Sequence, residues 1–153
     1  MPTLRDMLCH MPKDDLDAAL RALRDARTIA VVGLDTRTHR PAYGIASYLQ
    51  RAGYRIIPIH LGRFPADVIL GERAFASLRD VGEPVDLVNV FLRSEFTDPI
   101  IDDAIEIGAK AIWLQVGITN PTGLARAEAA GLVATDDRCT MVEHRLVVSN
   151  ARR

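Results

Sequence analysis

The chain has 153 residues, 48% of them hydrophobic and 25% charged, with a formal net charge of −1. That size and balance suit one globular domain with a sizeable core. A chain this near neutrality offers no global field for nucleic acid or a membrane surface, and no apolar run approaches the ~20 residues of a membrane span.

Residues 1–12 lack the cationic lead and apolar core of a secretory signal. Cys9 and Cys139 lie far apart, without metal-ligand spacing, and a chain of this size needs no disulfide. Both points predict a reduced, cytoplasmic setting. Lys13–Asp25 reads as a helix, because Leu16, Leu20 and Leu23 recur at steps of four and three between charged residues. It is expected to cover the sheet edge or the first strand. Residues 28–33 form the first strand: a short β-branched run, Ile29-Ala30-Val31-Val32, ending at Gly33. Pro41 opens a helix over 41–52, closed by Gly53. The second strand covers 54–59, with Pro58 expected at its end because proline cannot donate to a ladder. Residues 60–69 read as an irregular loop, and 70–78 as a short strand and turn.

The third strand covers 85–91. Asp98 and Pro99 predict a helix with Asp98 as N-cap, running to Ile107 with Gly108 after it. The fourth strand covers 111–116. Asn120-Pro121 opens another helix by the same device, ending near Gly131, and 132–135 is the last strand. Residues 136–146 predict a final helical turn, with 149–153 fraying. Strands apolar on both faces and alternating with helices predict an α/β fold: one domain with an open, mostly parallel five-stranded sheet and helices on both faces.

In such a sheet, ligands bind beyond the carboxyl ends of the strands, where strand order reverses. After the first strand come Asp35, Thr36, Arg37, Thr38, His39 and Arg40; after the second, His60 and Arg63; after the third, Leu92, Arg93 and Ser94. Gly117, Ile118, Thr119 and Asn120 follow the fourth, and Asp136, Asp137, Arg138 and Cys139 the last. Arg37, Arg40, Arg63, Arg93 and Arg138, with His39, thus collect on one edge of a nearly neutral protein. Arginine forks match phosphate oxygens, and the start of the 41–52 helix adds free N–H groups and a positive dipole end. Taken singly, a surface arginine is ordinarily solvated or paired with a carboxylate such as Asp136 or Asp137. The first loop lacks the G-x-G-x-x-G of dinucleotide binders. Cys139 and His144, five residues apart, would stand about 140° apart on a helix and need not meet. Trp113 reads as core, and Gln115 as either a ligand contact or a partner for backbone groups.

Several segments carry a family resemblance: 29–34; Arg40-Pro41 with Tyr43; 53–58; 69–72; 85–95; 108–117 with its Trp-Leu-Gln-x-Gly; and Asp137-Arg138-Cys139 with Glu143-His144. On these the chain resembles the small, single-domain bacterial CoA-binding proteins, related in fold to the N-terminal domain of the succinyl-CoA synthetase alpha subunit. The resemblance implies a Rossmann-like domain binding coenzyme A or an acyl-CoA. By position, the loop holding Gly33, Asp35, Thr36, Arg37, Arg40 and Pro41 would hold the pyrophosphate. Pro58 and His60 would line the nucleotide, Phe91 and Arg93 would flank the adenosine, and Gln115 and Gly117 would approach the pantetheine. Arg138 is carried with this set.

The chain departs from the family pattern with Asp35 in place of serine, His60-Leu61 in place of Asn-Pro, a longer loop over 62–68, and Leu92 in place of an arginine. The expected role is non-catalytic, accessory or regulatory, with a small-molecule ligand and neither metal nor nucleic acid. The alternatives are an NAD(P)- or other nucleotide-dependent enzyme, and an interaction module that has lost its ligand. Against a dehydrogenase, His60 stands where an acidic residue would take a ribose hydroxyl.

Overall fold

A computed structural model describes residues 13–61 and 67–151; Cys9, His10 and Arg63 lie outside them. Five short strands make the main sheet: β1 (Thr28–Val32), β2 (Arg55–Ile59), β5 (Leu87–Val90), β6 (Ala111–Leu114) and β7 (Val133–Thr135). All run parallel in the order β2-β1-β5-β6-β7. β3 (Val68–Ile69) and β4 (Glu72–Arg73) form a separate antiparallel pair.

Strand alternation divides the core in two. Ala30, Val32, Val88, Val90, Ile112 and Leu114 face one side, under Ile100, Ile101 and Ala104 of α3 (Asp98–Glu106) and Leu124 and Ala127 of α4 (Pro121–Ala129). Ile29, Val31, Leu87, Ala111 and Trp113 face the other. There they meet Ala19 and Leu23 of α1 (Lys13–Asp25) and Ala42, Ala46 and Leu49 of α2 (Pro41–Arg51). Each fully buried Val, Leu or Ile contributes about 1.5–3 kcal/mol, so a strand buried on both faces is anchored twice. The result is the expected Rossmann-like sheet with helices on both faces. α1 lies against β7 at the sheet edge and against α5 (Thr140–Ala151). No helix among the described residues is long and apolar enough to cross a membrane.

Four local expectations are corrected. Pro58 lies inside β2, paired with Val31, rather than at its end. β2 is the outermost strand of the main sheet, and the Pro58 carbonyl accepts from Phe75 N at 2.9 Å on that outer side; the amide proline lacks belongs to the same side, where no main-sheet strand needs it. Residues 67–78 are ordered more tightly than a loop: Val68–Ile69 and Glu72–Arg73 pair around Leu70 (φ +54°) and Gly71 (φ +75°), and residues 62–66 of the expected loop lie outside the described residues. The Leu70 carbonyl is held by Gln50 Nε2 at 2.9 Å. Asp98 is the first helical residue of α3, with Thr97 at the cap. Finally, the predicted terminal turn is a twelve-residue helix, α5, and its last described residue is Ala151. Its sequence carries no clean apolar stripe, and packing against α1 and α2 stabilises it instead.

From β1 the chain passes through α2 to β2 on one side, then returns across β1 to β5 on the other. The loops after β1 and β5 therefore diverge, opening a crevice at the carboxyl edge.

Candidate functional site at the carboxyl edge

A cavity of about 700 Å³ occupies that crevice. Gly33 shapes its base. It turns with φ +89°, and a Cβ there would stand 2.4 Å from the Phe91 carbonyl oxygen. Only glycine lets the ends of β1 and β5 approach this closely. From the first loop and α2, Asp35, Arg37, Arg40, Pro41, Ala42 and Ile45 line the wall. Phe91, Leu92, Arg93 and Phe96 come from the loop after β5; Gln115, Val116, Gly117 and Ile118 from the loop after β6; and Cys139 closes the set.

One end of the cavity is cationic. Arg40 is the N-cap of α2, in extended conformation and without a side-chain cap bond. Pro41 takes the first helical position, and the first turn holds no acidic residue. The positive end of the helix is therefore uncompensated by its own sequence. Asp35 does not sit free among the cations. Arg37 N donates to Asp35 Oδ1 at 2.9 Å, Arg37 Nε donates to Oδ2 at 2.9 Å, and Nη2 closes the fork on the same oxygen. Arg37 holds the Asp35 carboxyl below its ordinary range against the opposing effect of burial, with help from Arg40. Asp35 and Arg37 thus neutralise each other. Arg40 and Arg93 make no ion pair among the described residues.

Gln115, which lines the cavity, belongs to a buried polar trio with Asn89 and Thr140. Gln115 Nε2 donates to Asn89 Oδ1 at 2.7 Å and to Thr140 Oγ1 at 2.8 Å, and Asn89 Nδ2 donates to Thr140 Oγ1 at 3.1 Å. Its amide nitrogen bonds these side chains rather than a backbone group and ties β5 and β6 to the start of α5, while Gln115 keeps its place in the cavity lining. Trp113 is core as expected, and its Nε1 donates to the Arg138 carbonyl at 2.9 Å. Beyond Gln115 the chain turns, with Ile118 N donating to Gln115 O at 3.0 Å and Gly117 at φ +80°. Gly117 N donates to Asp137 Oδ1 at 2.7 Å, linking the loops after β6 and β7.

Four residues of the expected set do not line this cavity. Thr36 is exposed on the first loop. Pro58 is held within β2. His60 Nδ1 lies 3.3 Å from the Leu34 carbonyl oxygen, and His60 N donates to Phe75 O. Arg138 pairs with Glu143 at 3.5 Å, not with Asp136 or Asp137. Cys139 and His144 stay apart: Cys139 lines the cavity, while His144 bonds the Tyr48 hydroxyl at 2.9 Å and packs edge-on against Tyr48 and Tyr54. Ala42, Ile45, Phe96 and Val116 were not singled out from sequence. A signal existed for the first two, since the start of α2 was already placed at the loop and positions four apart share a helix face.

A second cavity of about 720 Å³ lies at the opposite, amino-terminal end of β1 and β2. Of the arginines that line the second, Arg24 and Arg55 are bound to Asp25 and Glu83, and Arg27 is in no ion pair among the described residues.

Comparison with known proteins bears on the first cavity. A family model described as a CoA binding domain matches residues 27–145, which run from just before β1 into α5 and include every lining residue of the carboxyl-edge cavity. The chain belongs to the CoA-binding domain family. Within reach of the same comparison, the uncharacterized YneT protein of Bacillus subtilis is 34% identical over 122 residues, covering 80% of this chain and 88% of that protein. A solved Thermus thermophilus structure is 35% identical, covers 88% of this chain and 98% of its own, and superposes with a TM-score of 0.80. A hypothetical protein from Pyrococcus horikoshii is 27% identical, with coverage of 91% and 98% and a TM-score of 0.81.

Proposed function

We propose that this protein is a single-domain, cytoplasmic, non-catalytic binder of coenzyme A or an acyl-CoA, acting in an accessory or regulatory role. One observation carries the reading. Arg40 and Arg93, which make no ion pair among the described residues, share with an uncompensated helix N-terminus the crevice of a CoA-binding family domain. CoA carries about four negative charges on its diphosphate and 3′-phosphate, counting ~1.5 to 2 for the phosphomonoester. In this reading Gly33 and the α2 N-terminus approach the pyrophosphate, Phe91 and Arg93 flank the adenosine, and Gly117 borders the pantetheine. Gln115 supports that border from beneath. Thr36, His60 and Arg138 stay near the ligand as residues of the carboxyl-edge loops, and Pro58 acts through the end of β2. The separation of Cys139 from His144 favours binding over nucleophilic catalysis at this site.

Calorimetry on ligand-free protein tests the reading with CoA, dephospho-CoA and NAD. CoA is expected to bind at sub-millimolar concentration, dephospho-CoA more weakly, and NAD without measurable heat. Arg93→Ala is expected to weaken CoA by about tenfold or more, as for a charge-assisted contact. No heat with CoA up to the millimolar range overturns the proposal.

A further inference from the structure

We infer that the site takes acyl-CoA thioesters in preference to free coenzyme A, with the acyl chain lying on an apolar lip formed by Phe96, Val116 and Ile118. The inference rests on the CoA reading above and names the ligand class within it.

Arg40 and the helix N-terminus stand on the β1 side of the cavity; Phe96 follows β5 in the short turn capped by Arg93, and Val116 and Ile118 follow β6, further along the sheet. Phe96 is 57% exposed and Val116 65% exposed, and both line the cavity. A phenyl ring and a branched aliphatic group left in water at the rim of a ligand crevice lose apolar hydration when something apolar covers them. Free CoA ends in a small thiol and covers little. A thioester carries its acyl chain onward from that end, away from the phosphates.

The lip is held in place before any ligand arrives. Thr119 N donates to Ser94 Oγ at 3.0 Å, joining the β6 loop to the β5 loop. Asn120 Nδ2 donates to Thr97 Oγ1 at 2.9 Å and to Asp98 Oδ1 at 2.8 Å, joining them again. The turn carrying Val116 is closed by the Ile118–Gln115 bond and braced by Asp137. An apolar surface fixed by this many polar ties costs no further ordering when a chain settles on it.

The test measures affinity for CoA, acetyl-CoA and hexanoyl-CoA by calorimetry, reading the ratio of hexanoyl-CoA to CoA affinity. The expected ratio is at least about ten, from four methylenes and a terminal methyl half-covered by the lip. Phe96→Ser with Val116→Ser is expected to bring the ratio to about two. Arg93→Ala is expected to weaken both ligands and leave the ratio near ten. Equal affinity for CoA and hexanoyl-CoA in the unaltered protein overturns this inference and leaves CoA binding standing; absence of binding by both overturns the two readings together. If the double variant loses CoA and hexanoyl-CoA equally, the ring serves the nucleotide and the inference fails. It fails too if sedimentation shows the lip buried in a dimer that the double variant dissociates.

Discussion

At Gly33, a left-handed backbone and a carbonyl oxygen only 2.4 Å from any added Cβ act on the same atom position. Gly33→Ala would strain the turn and push the end of β5 outward. Combining the two costs, we expect a loss of about 2–4 kcal/mol in urea unfolding. The glycine itself is plain in the sequence, but its reason is not, because Phe91 lies 58 residues away along the chain. Asp35 teaches the converse lesson. Read in the sequence, it is a negative charge misplaced beside the proposed phosphates. Folded, it is clasped by Arg37, two residues on, and the pair presents almost no net charge to the cavity. Asp35→Asn keeps the oxygen that accepts from the Arg37 amide and releases the guanidinium. Affinity for CoA is therefore expected to rise roughly three- to tenfold by calorimetry, and more at low salt. An unchanged or weakened affinity would mean that Arg37 does not reach the ligand.

Elements with a regular pattern and a local stop signal were legible in the sequence. Asn120-Pro121 is such a signal: Asn120 Oδ1 accepts from Gly123 N at 2.9 Å, as an N-cap should. α5 had no such pattern, and its boundaries follow from what it packs against. Its His144 is fixed by contacts from other elements, with Tyr48 of α2 bonding the ring and Tyr54, just before β2, packing on its edge. Arg145 beside it lies over the Tyr48 ring. Burial pushes the His144 imidazole below its ordinary value of 6.5. Below that pH the unfolded chain takes up a proton that the folded protein refuses. Stability contributed by the neutral ring is therefore full above about pH 6.5 and declines as the pH falls towards the folded value. Thermal melts between pH 7.5 and 5 should show this decline, and His144→Gln should flatten it. The Asp35 and Asp98 carboxyls are held below their ordinary value of 3.8, chiefly by hydrogen bonds from Arg37 and Asn120 respectively, so their contribution is present above that value and is lost as the pH falls below it towards the folded values.

For the molecule as a whole, a ligand that enters only the folded crevice must raise global stability. At one hundred times its dissociation constant, CoA should add about 2.7 kcal/mol, or about 5–10 °C in Tm for a chain of this length. A Tm unmoved by millimolar CoA would contradict the proposed site. The sequence by itself determined the parallel sheet, its two-sided burial and the edge on which ligand loops gather. Those follow from period and from residues near in the chain: β-branched runs, proline after the first strand, asparagine before the fourth helix. It also marked Gly33, Arg40, Arg93 and Gly117 as edge residues. Only the tertiary structure decided which edge residues share one cavity, which cations pair with a carboxylate, and that Gln115 bonds Asn89 and Thr140. Those outcomes depend on strand order and on partners far apart in sequence. Arg138 meets Glu143, Gln115 meets Asn89 and Thr140, and Ser94 meets Thr119 only because β5 and β6 are neighbours. Charge pairing and burial act through space, so they become readable only when the chain has closed upon itself.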